Sequence, residues 1–112
     1  MARSNVMVVS GLLLCGCDRL DPLTVIDSPD GKAVILDILA VQSGDRVICV
    51  RSDVTQSCSR SNAEVIVSAG GTDADVNPGW AGNERVTITV VRGNIEKSAP
   101  TALNGRISIE YR

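Results

Sequence analysis

Residues 85–91 read Arg-Val-Thr-Ile-Thr-Val-Val. In an extended chain Val86, Ile88 and Val90 point one way while Thr87 and Thr89 point the other, since successive side chains of a strand leave opposite faces. Such period-two alternation marks a half-buried antiparallel strand. The same pattern recurs on either side. In residues 64–69, Val65, Val67 and Ala69 share a face; in residues 106–112, Ile107, Ile109 and Tyr111 oppose Ser108, Glu110 and Arg112. Residues 33–41 are nearly continuously apolar, broken by Asp37, and with residues 46–51 read as strands covered in part on both faces. Turn-forming groups separate these segments: Pro29-Asp30-Gly31, Ser43-Gly44-Asp45, Gly70-Gly71, Gly82-Asn83 and Asn104-Gly105. No stretch offers an amphipathic helix of three turns. The expected fold is all-β, one small antiparallel sheet of about five strands or an open barrel, spanning residues 28–112.

Composition agrees and narrows the chemistry. After Gly16 there are twelve valines and nine isoleucines, which favour strands. The chain has 112 residues, 11 basic against 13 acidic, no histidine, no phenylalanine, and Trp80 and Tyr111 as its aromatics. A slightly acidic chain with two aromatics has neither the basic footprint nor the stacking surface of a nucleic-acid binder. Without imidazole there is no Ser-His-Asp triad, no His-ligated zinc and no haem histidine. We expect no cofactor and no enzyme activity.

Residues 1–16 read as an address. Arg3 opens the segment, residues 6–14 are mostly apolar, and small Gly16 closes it. This is the order of a secretory signal, and the apolar run is about half the ~20 residues a membrane span needs. Leu14-Cys15-Gly16-Cys17 resembles the bacterial lipobox. The resemblance implies removal of residues 1–16 and acylation of Cys17 as the new first residue. Ordinary signal-peptidase cleavage, releasing a soluble periplasmic protein, is the alternative. Residues 17–27 then read as a tether. The remaining cysteines, Cys49 and Cys58, are expected to form a disulfide in an oxidising compartment; their spacing does not match the C-x-x-C of a thiol redox pair.

Two turns carry a further resemblance. Ser28-Pro29-Asp30-Gly31-Lys32 is similar to the turn that opens strands in TolB-type propeller blades, and Trp80-Ala81-Gly82-Asn83-Glu84-Arg85 looks like a looser copy. Two blades do not make a propeller. Together with Cys17 and the Ile107-x-Ile109-x-Tyr111 ending, these turns resemble a family of small uncharacterised bacterial lipoproteins and exported proteins. That resemblance implies a membrane-anchored place in the cell envelope, facing the periplasm or exterior. It implies no activity.

Four places are candidate sites. Counted from Asp73, the oxygen-bearing Asp73, Asp75, Asn77 and Glu84 fall at places 1, 3, 5 and 12 of a calcium loop. Pro78 occupies the place where glycine makes the sharp turn, so an acidic loop joining two strands is the reading preferred over calcium. Asp37 reads as an edge-strand charge; buried, it would need Arg46 or Arg51 beside it. Lys32 reads as a surface turn residue, with an anion site as the alternative. Trp80 reads as core or hinge packing, or as an interaction hot spot. The expected function is a non-catalytic interaction or structural module, held to the membrane by its N-terminal lipid and able to contact another envelope protein.

Overall fold

The computed structural model describes the backbone of residues 20–112 and the side chains from Thr24 onward; the expected leader, residues 1–16, and Cys17 lie outside the described residues. The all-β class is as the alternation implies. Each of the five segments read from sequence is a strand: β2 (Val34–Ala40), β3 (Asp45–Arg51), β4 (Val65–Ser68), β6 (Arg85–Arg92) and β9 (Ile107–Tyr111). Four more join them: β1 (Leu20–Asp27), β5 (Asp75–Trp80), β7 (Asn94–Ser98) and β8 (Thr101–Ala102). The strands form two sheets rather than one, in the orders β1-β2-β3-β4-β7 and β5-β6-β9-β8, and neither closes into a barrel.

The added strands are the four edges, which explains why alternation did not reveal them. An edge strand can be held by backbone pairing on one side with little burial. β7 is exposed along its whole length. β1 and β5 carry Pro22 and Pro78, and proline is tolerated at an edge because no second neighbour needs its missing N–H. Residues 20–27, expected as part of a tether, therefore pair with β2 from Leu20↔Ala40 to Asp27↔Val34, with a bulge between Pro22 and Thr24.

The sheets face each other across one core. Ile35, Ile48, Val50, Val65 and Val67 from the first sheet meet Val76, Val86, Ile88, Ile107 and Ile109 from the second. Fully burying each such side chain contributes roughly 1.5–3 kcal/mol. The first sheet is apolar on its outer face as well, where Val34, Leu36, Ile38, Val47, Cys49 and Ile66 cluster with Ala63 and Cys58 of residues 52–64. A loop thus serves as a third layer, which is why β2 and β3 read as doubly covered.

Chain crossings fix the topology. After β6 the chain passes to the first sheet as β7, returns as β8, and turns into β9. β9 therefore runs parallel to β6, pairing Arg85↔Ser108 through Ile88↔Tyr111, where simple alternation had implied antiparallel neighbours. Gly93 makes the first crossing at φ 121°. A Cβ there would lie 2.6 Å from the Ser68 carbonyl oxygen and 2.9 Å from Val67 Cγ1, so both the backbone angle and the space require glycine.

Candidate functional site

Asp37 and Arg46 lie on the inner face of the first sheet, on neighbouring strands. Asp37 is 2% exposed and its strand is interior, so the edge-charge reading is corrected. A buried carboxylate needs a charge-complementary partner, and Arg46 supplies it. Arg46 Nε donates to Asp37 Oδ1 at 2.9 Å and its Nη2 donates to Oδ2. The same guanidinium donates to the carbonyls of Ala74 at 3.3 Å and Val76 at 3.0 Å. All its outward contacts are spent joining β2 and β3 to β5, so the pair is a tie between sheets rather than a reactive carboxylate.

The outer loop is held by a second set of polar contacts. Cys49 and Cys58 are bonded, with Cα atoms 5.9 Å apart. Arg51 Nη1 meets Glu64 at 2.8 and 3.1 Å, while Arg51 Nε and Nη2 donate to the carbonyls of Ser57 and Asn62. Glu64 Oε1 also accepts from the Val50 amide at 2.9 Å. Farther along, Arg60 pairs with Asp45, whose Oδ1 accepts the Ala69 amide at 2.8 Å. Burial pushes the Asp45 carboxyl up, but the Ala69 amide and the Arg60 guanidinium outweigh it and leave its pKa below the ordinary carboxylate value.

The two turns singled out in the sequence meet at one end of the molecule. Within the first, buried Ser28 donates its hydroxyl to Asp30 Oδ1 at 2.7 Å, and that carboxylate also accepts the Lys32 amide at 3.1 Å. The Ser28 hydroxyl and then the Lys32 amide hold the Asp30 carboxyl below its usual value. The Asp30 amide donates 3.0 Å across to Asn83 Oδ1 in the second turn. Between them, with the β8–β9 turn, opens a cleft of about 490 Å³ lined by Asp30, Lys32, Ser52, Asn83, Glu84 and Arg106. A neighbouring hollow of about 430 Å³ shares Glu84 and Arg106. The side chains of Lys32, Glu84 and Arg106 make no hydrogen bond or ion pair to another described residue. The cleft therefore presents the Lys32 and Arg106 cations and the Glu84 carboxylate on the double turn, with the Lys32 charge also acting on Asp30. The lining is mostly charged and polar.

Trp80 stands beside this end, half-buried against the inner core, with Nε1 donating to the Ile26 carbonyl at 2.9 Å. It fastens β5 to β1. Of the candidate calcium segment at residues 73–84, Asp75–Trp80 form strand β5, so Asp75 and Asn77 are spread along an extended edge instead of curling round a centre. Among the described residues no group of three or more acidic or cysteine side chains gathers to hold a metal. Arg106 and Glu64 were not singled out from sequence. Glu64 meets Arg51 because β3 and β4 pair as neighbours across residues 52–64, whereas Arg106 and Lys32 come to one cleft through chain crossings that their spacing does not announce.

Compared with protein-family models, with curated proteins and with solved structures, the chain matches none.

Proposed function

We propose that this chain is an exported, lipid-anchored interaction module of the bacterial envelope. In this reading residues 1–16 direct export, Cys17 carries the acyl chains, and the double-turn cleft of Asp30, Lys32, Asn83, Glu84 and Arg106 contacts an envelope protein. The observation that supports it most directly is the Cys49–Cys58 bond, because structural disulfides persist in oxidising compartments. The lipobox resemblance of residues 14–17 adds the anchor. Exposed charges of both signs on one rim suit specific, non-catalytic contact, where charge complementarity sets partner choice more than affinity.

Intact-mass measurement of chain extracted from membranes tests the anchor, reading the acyl mass on Cys17 and the two-hydrogen loss of the disulfide together. Crosslinking in intact cells tests the contact surface. The Lys32→Glu, Arg106→Glu double variant should lose the partner bands that the unaltered chain gives. An unprocessed chain with reduced cysteines in the cytosol would overturn the proposal.

A further inference from the structure

The anchored reading, on which this inference rests, acquires a direction from the position of β1. Cys17 is separated from Leu20 by Asp18 and Arg19 alone. Three residue steps span at most about 10 Å. Leu20 is already paired with Ala40, so the fold begins where the lipid ends. The eight residues of β1 then run away from the anchor for roughly 25 Å at ~3.3 Å per residue. At their far end is the Ser28 turn, and with it the polar cleft.

The register places other segments relative to the anchor. Ala40 and Asp45 are opposite Leu20 through successive pairings, so the β2–β3 turn at residues 41–44 lies at the anchored pole. The Ala74 amide donates to the Gly44 carbonyl at 2.9 Å, which brings the start of β5 to the same pole. Asp75↔Arg92 adds the end of β6. Pairings from Asp21 through Leu39, Arg46 and Val67 bring Ile95 to that level.

Side-chain character divides along this axis. Three of the five exposed large apolar residues among those described are at the anchored end: Val41 at 41%, Val91 at 59% and Ile95 at 44% exposure. The far pole exposes Asp30, Lys32, Glu84, Arg85 and Arg106 and none of the five. The anchored end also has charges. Asp45 is paired with Arg60, Arg92 Nε donates to the Asp73 carbonyl, Asp75 stands opposite Arg92, and Asp73 and Glu96 are exposed. The signs are mixed, so attraction by anionic headgroups is not what seats it; the acyl chains and the apolar rim are.

We infer that the β2–β3 turn and the rim of Val41, Val91 and Ile95 rest on the lipid surface, holding the Asp30–Arg106 cleft outward. With a link of at most about 10 Å attached at one end of β1, the domain cannot turn its far pole to the bilayer without unpairing β1. The orientation is therefore built into the fold.

The test uses the processed, full-length chain reconstituted in phosphatidylcholine–phosphatidylethanolamine vesicles. A nitroxide is attached at position 42 in Gln42→Cys or at position 32 in Lys32→Cys; both sites are exposed. Collision with a water-soluble nickel chelate should be several-fold weaker at position 42 than at position 32, and collision with oxygen, which concentrates in lipid, stronger. A ten-residue glycine-serine insertion between Arg19 and Leu20 should shrink that difference. Equal accessibility of the two labels on acylated protein would overturn the orientation while leaving the anchor standing. A mass showing Cys17 unmodified would overturn the anchor and the orientation together.

Discussion

Replacing Arg46 by methionine strands the most deeply buried carboxylate among the described residues. Asp37 is 2% exposed and takes both its side-chain hydrogen bonds from Arg46. Removing one partner of such a pair costs about 3–5 kcal/mol, because the remaining charge stays desolvated. The carbonyls of Ala74 and Val76 lose a charged donor in the same step. A domain of this size has about 5–15 kcal/mol to lose, so Arg46→Met should consume a large fraction of it. At roughly 4–8 °C per kcal/mol, the midpoint of thermal unfolding should fall by at least about 12 °C. Urea unfolding with tryptophan fluorescence is the assay, since Trp80 bridges β5 to β1 and reports separation of the sheets. The midpoint should drop with an unchanged slope. The companion Asp37→Leu, Arg46→Met double variant should be milder than Arg46→Met alone, because replacing a whole buried pair by apolar groups is often neutral. A single variant as mild as a surface substitution, or a double variant worse than the single, would refute the view that Arg46 matters by compensating Asp37.

Four further outcomes are expected. Reducing the Cys49–Cys58 bond, which closes a ten-residue loop, should lower stability by roughly 2–3 kcal/mol in the chain-entropy account, read as a shift in urea midpoint with and without reductant. Gly93→Ala should destabilise by more than the roughly 1–3 kcal/mol of its backbone angle alone, because a Cβ meets the Ser68 carbonyl at 2.6 Å; Gly82→Ala, at φ 95° with nothing within 4 Å, should cost only the angle. The pH limits follow from Asp45 and Tyr111. Asp45 has its pKa lowered in the fold, so its contribution is present above the unfolded carboxylate value of about 3.9 and is lost as pH falls through the folded value; Asp45→Asn should flatten that acid limb in urea midpoints measured across pH. Burial, then the nearby Glu64 charge, raises the Tyr111 phenol to about 12. Its contribution is complete below the unfolded value of about 10 and lost as pH rises through about 12, so ultraviolet titration of the native protein should show no tyrosinate near pH 10.

How much of this was legible depended on where each strand sits. β2, β3, β4, β6 and β9 are interior to their sheets, so burial imposes on them the apolar runs and alternation that a linear reading detects. The edge strands β1, β5, β7 and β8 are held by backbone pairing, to which side-chain patterns are nearly blind; β7, reading Asn-Ile-Glu-Lys-Ser, has no buried residue at all. Cys49 and Cys58 could be paired from the sequence because, with Cys17 assigned to acylation and Cys15 to the leader, two remained. Asp37 could not be placed, since a charge in an apolar run is equally consistent with an edge and with a buried tie.

The amino-acid order by itself determined the interior strands and the turn at residues 28–32, consequences of neighbours within a few residues, and its composition determined the strand-forming bias and left Cys49 and Cys58 to pair. Partition into two sheets, the parallel pairing of β6 with β9, the Asp37–Arg46 tie and the meeting of residues 28–32 with Asn83 and Arg106 were decided in three dimensions. The tie joins residues of two consecutive strands only nine positions apart, but its burial follows from the sheet packed over it; the others depend on chain crossings, such as that at Gly93, which join residues tens of positions apart and leave no periodic trace in the sequence.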